Sequence, residues 1–189
     1  RLPDRRRGGG IDTPGGLVDH QHFGALEDLG CDAVDPVAVV RNLDRLRTPD
    51  GGYANEVGQS VGVTTLTSGV LALQRHFGTP IDHPAGEWLL GRLHPLGGFQ
   101  ASPQVPIPDL LSTATAMQAL NFVECECNEE EIRNRCLHFL DTVWDEERGA
   151  FCGHAFDKKV DCEYTWYGLL ALGHLVDPED DPAKADGDA

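Results

Sequence analysis

Apolar residues recur at helical spacing near the middle of the chain. The first such segment contains Val37, Val40, Leu43 and Leu46. This spacing predicts one face of an amphipathic helix. Asp35 followed by Pro36 predicts where the helix begins, because aspartate caps helix N-termini and proline is favoured at the first helical position. Pro49 and the glycines that follow it predict its end.

The same plan occurs three times. In each occurrence a helix leads to a glycine-containing turn, an aromatic residue follows the turn, and a second helix follows. The aromatic residues are Tyr53, Phe99 and Phe151, which lie 46 and 52 residues apart. The helix starts align as Thr64-Thr65-Leu66, Ser112-Thr113-Ala114 and Tyr164-Thr165-Trp166. We therefore predict a repeat protein with repeats at about 35–78, 83–124 and 128–176.

The second helix of each repeat is the more apolar one. We predict it over about 63–77 in the first repeat, and in the second repeat it is apolar nearly all round (Leu110, Leu111, Ala114, Ala116, Met117, Ala119, Leu120). In the third repeat, Asn128 is expected to cap the first helix. Its predicted buried side contains Ile132, Cys136, Phe139 and Leu140. A helix that is apolar on every side must be covered on every side, so these second helices are expected to be inner helices.

The pattern predicts about seven helices and essentially no strand. Stacked helix pairs form an α/α solenoid or a closed α/α toroid, so the expected class is all-α. Residues 1–18 read as a flexible linker, 19–176 as the repeat domain and 177–189 as an acidic disordered tail. His20 to Leu29 is predicted to be the last helix of an earlier, incomplete repeat.

Composition excludes several classes of function. Fifteen Lys and Arg against 31 Asp and Glu leave a net charge of −16, which repels the phosphate backbone of nucleic acids. No segment has the ~20 consecutive apolar residues of a membrane-spanning helix. Six cysteines are too few for a disulfide scaffold, and no secretion signal is recognisable, so we expect reduced thiols and a cytoplasmic protein.

The segment Asp50-Gly51-Gly52-Tyr53, followed by a threonine-rich helix, resembles the repeat of the prenyltransferase and squalene cyclase family. The resemblance covers roughly residues 35–175. It implies an α/α toroid, and three repeats would make about half of a closed ring. Such a half-ring leaves apolar faces of the inner helices uncovered, so a partner subunit or a homo-oligomer is expected to complete it.

The resemblance to protein prenyltransferases also implies a zinc site. That family binds zinc through an Asp, a Cys two residues later and a distant His. Asp161 is in register with the Asp, but Glu163 occupies the Cys position and Cys162 lies one place early. The candidate zinc ligands are therefore Asp161, Cys162, Glu163 and His154, together with Cys152 two residues before His154. The alternative is that Asp161 only caps the inner helix and Cys162 packs as a small apolar residue.

The same resemblance suggests residues of a substrate cavity. Tyr164, Trp166 and Tyr167 begin an inner helix, where aromatic rings could contact an isoprenoid or another apolar small molecule, or could simply pack on the outer helices. Asp109 is nearest to the catalytic acid of class II terpene cyclases. It lacks the neighbouring carboxylates of that motif, which disfavours cyclase chemistry.

Two functions from different classes follow. One is a prenyltransferase-like protein with an apolar central cavity. If it is an enzyme, it would catalyse prenyl transfer assisted by zinc. The other is a non-catalytic helical-repeat module that binds a protein. The displaced cysteine and the missing distant histidine favour the second function, whereas the aromatic residues Tyr164, Trp166 and Tyr167 favour the first.

Overall fold

The computed structural model describes residues 35–123 and 129–175. These ranges contain six helices, α1 (Pro36–Asp44), α2 (Thr64–His76), α3 (His83–Leu90), α4 (Leu110–Leu120), α5 (Glu129–Val143) and α6 (Cys162–Leu175). The described chain is mostly helical, as the sequence predicts. The predicted helix around His20, the Asn128 cap and the predicted acidic tail lie outside the described residues.

Two small antiparallel sheets depart from the prediction of no strand. In the first, β1 (Phe99–Gln100) pairs with β2 (Pro108–Asp109). In the second, β3 (Trp144–Asp145) pairs with β4 (Ala150–Phe151). The pairs are short because they only join the aromatic residue after each turn to a neighbouring segment. Two-residue strands leave no alternating pattern to detect in a sequence.

Helix starts follow the predicted capping chemistry. The Asp35 carboxylate accepts a hydrogen bond from the Val37 N–H (3.0 Å) at the start of α1. The predicted second helix of the first repeat agrees with α2 to within one residue at each end. On α5, the predicted apolar side is buried, together with Val143. Local signals therefore placed these helix starts correctly.

The predicted end of the first helix at Pro49 was wrong. Helix α1 ends at Asp44 and no residue of it is buried. Leu46 lies in the turn that follows, where its N–H donates to the carbonyl of Leu43 (2.8 Å).

The helices α2, α4 and α6, here called the inner helices, lie side by side with α4 in the middle. Helix α3 packs against α2 and α4, and α5 packs against α4 and α6. One apolar core lies around Tyr53, Leu71 and Leu89, and a second surrounds Phe99, Phe139 and Phe151. Helices α3 and α5 thus each cover the junction between two inner helices.

One hydrogen bond recurs in all three repeats, between the residue after the turn and a threonine fourteen positions later. The backbone N–H of Tyr53 donates to Thr67 Oγ1 (3.0 Å), that of Phe99 to Thr113 Oγ1 (2.9 Å) and that of Phe151 to Thr165 Oγ1 (3.2 Å). This corrects the alignment of the first repeat, because Thr67 rather than Thr65 corresponds to Thr113 and Thr165.

Each of these threonines also donates a hydrogen bond. Their hydroxyls reach the carbonyl oxygens four residues earlier, at distances of 2.9, 2.7 and 2.7 Å (Val63, Asp109, Asp161). A hydroxyl that both donates and accepts satisfies its own polarity and that of the aromatic residue's N–H. The threonine therefore attaches the glycine-containing turn to the N-terminal end of the inner helix.

Successive repeats are joined by a second recurring bond. The N–H of Thr64, the first residue of α2, donates to the carbonyl of Ala101 (2.8 Å) in the second repeat. The N–H of Leu110, the first residue of α4, donates to the carbonyl of Gly153 (2.8 Å) in the third. These bonds satisfy helix N–H groups that have no acceptor within the helix.

The glycine turns are covered by rings from the following outer helix. A Cβ added at Gly52 would lie 2.8 Å from the Trp88 ring, and one at Gly98 would lie 2.6 Å from the Phe139 ring. Gly98 also has a φ of +71°, which favours glycine. The glycines are therefore required by close packing between repeats as well as by turn geometry.

Asp50 holds the first turn together. Its carboxylate accepts hydrogen bonds from the Thr48 hydroxyl (2.6 Å) and from the N–H groups of Gly62 (3.1 Å) and Gly52 (3.3 Å). Burial opposes the charged form and would raise the pKa of Asp50, but these bonds outweigh it. The pKa of Asp50 therefore lies below its usual value.

We predict that Thr113→Val destabilises the protein by about 1–3 kcal/mol, because it leaves the buried N–H of Phe99 without an acceptor. Urea denaturation measures this change. Thr115→Val is the matched control, since the Thr115 hydroxyl donates only to carbonyls of its own helix, principally Leu111 (2.8 Å). Equal losses for the two variants would contradict the role given to Thr113.

Candidate functional site

The candidate zinc ligands lie at the beginning of α6. Asp161 precedes the helix, and its carboxylate accepts a hydrogen bond from the Tyr164 N–H (2.8 Å). Cys162 and Glu163 are the first two residues of α6, and both are exposed. Asp161 therefore acts as an N-cap, the simpler of its two predicted roles.

His154 and Cys152 lie in and beside the loop that precedes α6. The His154 Nδ1 accepts a hydrogen bond from the Phe156 N–H (3.2 Å). The Cys152 side chain is buried, and burial raises the pKa of its thiol. Among the described residues, no three His, Cys, Asp or Glu side chains are grouped so that they could hold a metal ion.

The three candidate aromatic residues on α6 point in different directions. The Tyr164 ring lies over Gly153, where an added Cβ would be 2.5 Å away. Trp166 is exposed, and its ring contacts Tyr167 edge-on at 4.8 Å between centroids. Tyr167 is half-buried against the second core. Tyr164 therefore packs within its repeat, and Trp166 is the most accessible of the three.

Asp109 caps α4 and is the most buried of the candidate carboxylates. It accepts hydrogen bonds from the N–H and the hydroxyl of Ser112, both at 2.8 Å. Burial raises the pKa of Asp109 above its usual value, although the Ser112 bonds and the positive field of His154 act in the opposite direction. Asp109 and Asp161 occupy the same position in successive repeats and differ in their exposure.

One face remains wholly or partly exposed on all three inner helices. It contains Thr65 and Gly69 on α2, Leu111 and Thr115 on α4, and Glu163 and Tyr167 on α6. This common face is mixed in polarity, and of the predicted aromatic residues it includes Tyr167. A surface pocket on α5 is lined by Glu130, Glu131, Asn134 and Arg135 and includes none of the sequence-predicted site residues.

A second surface distinguishes the third repeat from the other two. The residues of α2 and α4 that correspond to Cys162, Trp166 and Leu169 are all buried (Thr64, Ser68 and Leu71; Leu110, Ala114 and Met117). On α6, by contrast, all three are exposed, with Trp166 at 45% and Leu169 at 60% of its surface. The positions that are covered in both the first and the second repeat are thus exposed on α6.

The glycine turn of the third repeat is also uncovered, whereas the turns of the first two repeats are covered. A Cβ added at Gly51 would meet Trp88, and one at Gly97 would meet the backbone of Arg135, but at Gly149 it would meet nothing within 4 Å. Within the described ranges, the Cys162 N–H also has no backbone acceptor equivalent to Ala101 or Gly153. We call the surface formed by Gly149, Cys162, Trp166, Leu169 and Gly173 the open edge. Gly173 extends it beyond the positions that are covered in the other repeats, since its counterparts Arg75 and Asn121 are exposed too.

Sequence reasoning identified Trp166 but missed Leu169 and the open edge as a surface. A signal was present in the repeat alignment, since tryptophan replaces alanine and serine at one inner-helix position (Trp166, Ala114, Ser68). Recognising it required the register that the threonine hydrogen bonds establish.

In comparisons with known proteins, no protein-family model matches the chain, and no curated protein matches it significantly. Across residues 35–123 and 129–175, no helix has the length and apolar character needed to cross a membrane.

We predict opposite pH responses for two Asp→Asn variants. The depressed pKa of Asp50 stabilises the fold above its usual pKa, and this contribution is lost as the pH falls through the folded-state value. The raised pKa of Asp109 stabilises the fold at low pH, and this contribution is lost as the pH rises through the folded-state value.

Relative to the wild type, Asp50→Asn should therefore lose more stability at pH 7 than at pH 4, whereas Asp109→Asn should be more favourable at pH 7 than at pH 4. Urea denaturation at both pH values measures the differences. If Asp109→Asn loses more stability at pH 7, then the folded protein favours the Asp109 carboxylate and the assignment of a raised pKa is wrong.

Proposed function

We propose that the chain is a non-catalytic helical-repeat module that binds a partner protein through the open edge. In this proposal the three repeats form an arc of an α/α toroid. The observation that carries it is the exposure of Trp166 and Leu169 at positions where both preceding repeats bury their residues. A large apolar residue at a conformationally ordered surface gains free energy when a partner covers it.

The grouping of candidate ligands supports binding over catalysis. Asp161 is engaged as a helix cap and Tyr164 packs on Gly153. The Cys152 side chain is buried. On α6, the exposed large apolar residues are Trp166 and Leu169, and both lie on the open edge.

Site-specific photo-crosslinking in the native host tests this proposal. A benzophenone amino acid at position 169 is expected to give a discrete crosslinked product. The matched control carries the same amino acid at position 37, because Val37 (59% exposed) and Leu169 (60% exposed) are equally accessible. Equal crosslinking at the two positions, or none at position 169, would contradict binding through the open edge.

A second candidate is the prenyltransferase-like function with zinc. It is favoured by the exposure of three potential ligand residues that are consecutive in the sequence, Asp161, Cys162 and Glu163. Of these, Glu163 shares the common face with Tyr167. Here Asp161 and Glu163 would supply oxygen ligands and Cys162 a thiolate, and the zinc would lower the pKa of a substrate thiol. The common face would contact the isoprenoid.

Asp161→Ala separates the two functions. For a binding module, we predict a loss of about 1 kcal/mol from the missing helix cap and no change in metal content. The control is Asp35→Ala, which removes the equivalent cap of α1 far from the candidate ligands in the sequence. Native mass spectrometry with added zinc, together with urea denaturation, measures both effects. One zinc per wild-type chain that is lost only in Asp161→Ala would establish the second candidate instead.

A further inference from the structure

The open edge has the residue spacing of a helix-pairing seam. Along α6, the exposed residues Cys162, Trp166, Leu169 and Gly173 are separated by four, three and four positions. This alternation of four and three is the spacing of the a and d positions at which two helices pack in a coiled coil. The exposed residues therefore form one continuous stripe along α6, as a helix-packing seam requires.

Along this seam, the side chains follow the same order of sizes in both directions: small, large, large, small. The two bulky residues, Trp166 and Leu169, lie in the middle, and the two small residues, Cys162 and Gly173, lie at the ends. When two such helices pack antiparallel, Trp166 lies opposite the partner's Leu169 and Cys162 lies opposite the partner's Gly173. The seam is thus complementary to itself about a two-fold axis, which is the symmetry of most homodimers.

The first repeat is poorly suited to cover the open edge. In the second and third repeats, Trp88 and Phe139 cover the preceding turn, and the corresponding residue of α1 is the exposed Asn42. In addition, no residue of α1 is buried. Among the described residues, α1 of a copy that docked by its first repeat would therefore bring no aromatic ring to the open turn at Gly149.

Resting on the proposed binding function, we propose that the partner on the open edge is a second copy of this chain, with α6 packed antiparallel against α6 of that copy. The contact would use, on both copies, the face of α6 that corresponds to the buried positions Thr64, Ser68 and Leu71 of α2 and Leu110, Ala114 and Met117 of α4. Two chains of net charge −16 repel each other, and salt screens this repulsion. The dimer is therefore expected to tighten as the salt concentration rises.

A matched pair of glycine variants tests the proposal on the full chain. A Cβ added at Gly173 or at Gly69 meets nothing within 4 Å, and both glycines are exposed in helices. Gly173→Arg and Gly69→Arg therefore make the same change in charge and helix propensity without disturbing the monomer. Gly173 lies on the open edge, whereas Gly69 lies on the common face.

Sedimentation velocity at about 0.1 M and about 1 M NaCl gives the dissociation constants. We expect a wild-type dimer that is tighter at high salt, about 100-fold weaker association in Gly173→Arg and in Leu169→Glu, and no change in Gly69→Arg. Circular dichroism confirms that each variant is folded.

The outcomes separate this proposal from the function on which it rests. If the wild type is monomeric and position 169 still crosslinks to a different protein, then the partner is not a second copy. The proposed binding function would still hold. A dimer that Leu169→Glu and Gly173→Arg leave intact overturns the use of the open edge for self-association. A purified chain with the benzophenone amino acid at position 169 should also give a product of twice the chain mass. A crosslink that joins position 169 to α1 of the other copy would overturn the antiparallel arrangement.

Discussion

The fold depends on one small interaction, in which a threonine hydroxyl accepts the N–H of the residue after each turn and donates to a carbonyl at the start of the inner helix. Tyr53, Phe99 and Phe151 are deeply buried, so their N–H groups cannot be satisfied by water. A hydroxyl at this position satisfies the N–H and fixes the aromatic ring over the core at the same time. The placement of the turn, the glycines under the next repeat's rings and the register of the inner helices all follow from it.

The same face of the inner helix is buried in the first two repeats and exposed in the third. On α2 and α4, the positions equivalent to Cys162, Trp166 and Leu169 are core, because the next inner helix covers them. On α6, the same positions are surface, and one of them carries a much larger side chain than its counterparts, Trp166 in place of Ser68 and Ala114. Burial is therefore decided by the neighbouring repeat and not by the hydrophobicity of the helix itself. This is why the functional argument rests on one end of the repeat array.

The candidate site was partly predictable. The sequence identified the start of α6 as the chemically richest segment, and it offered helix capping as an alternative role for Asp161, which the Tyr164 N–H bond supports. It could not show that the Cys152 thiol is buried or that Tyr164 packs on Gly153, because those contacts join residues that only folding brings together. Nor could it separate Asp109 from Asp161, which have the same capping role but different exposure.

By itself, the sequence determined the features that are set by neighbours along the chain: the helix starts at Asp35 and at about residue 63, the helix end near Gly78, the buried side of α5 and the threefold plan. Caps, prolines, glycines and helical periodicity act over a few residues, so a single sequence contains them. The tertiary structure alone decided that Thr67 aligns with Thr113, that two short sheets form, and that Leu169 is exposed while Met117 is buried. The physical reason is that these outcomes depend on which repeat packs against which, and a residue's own type does not contain that information.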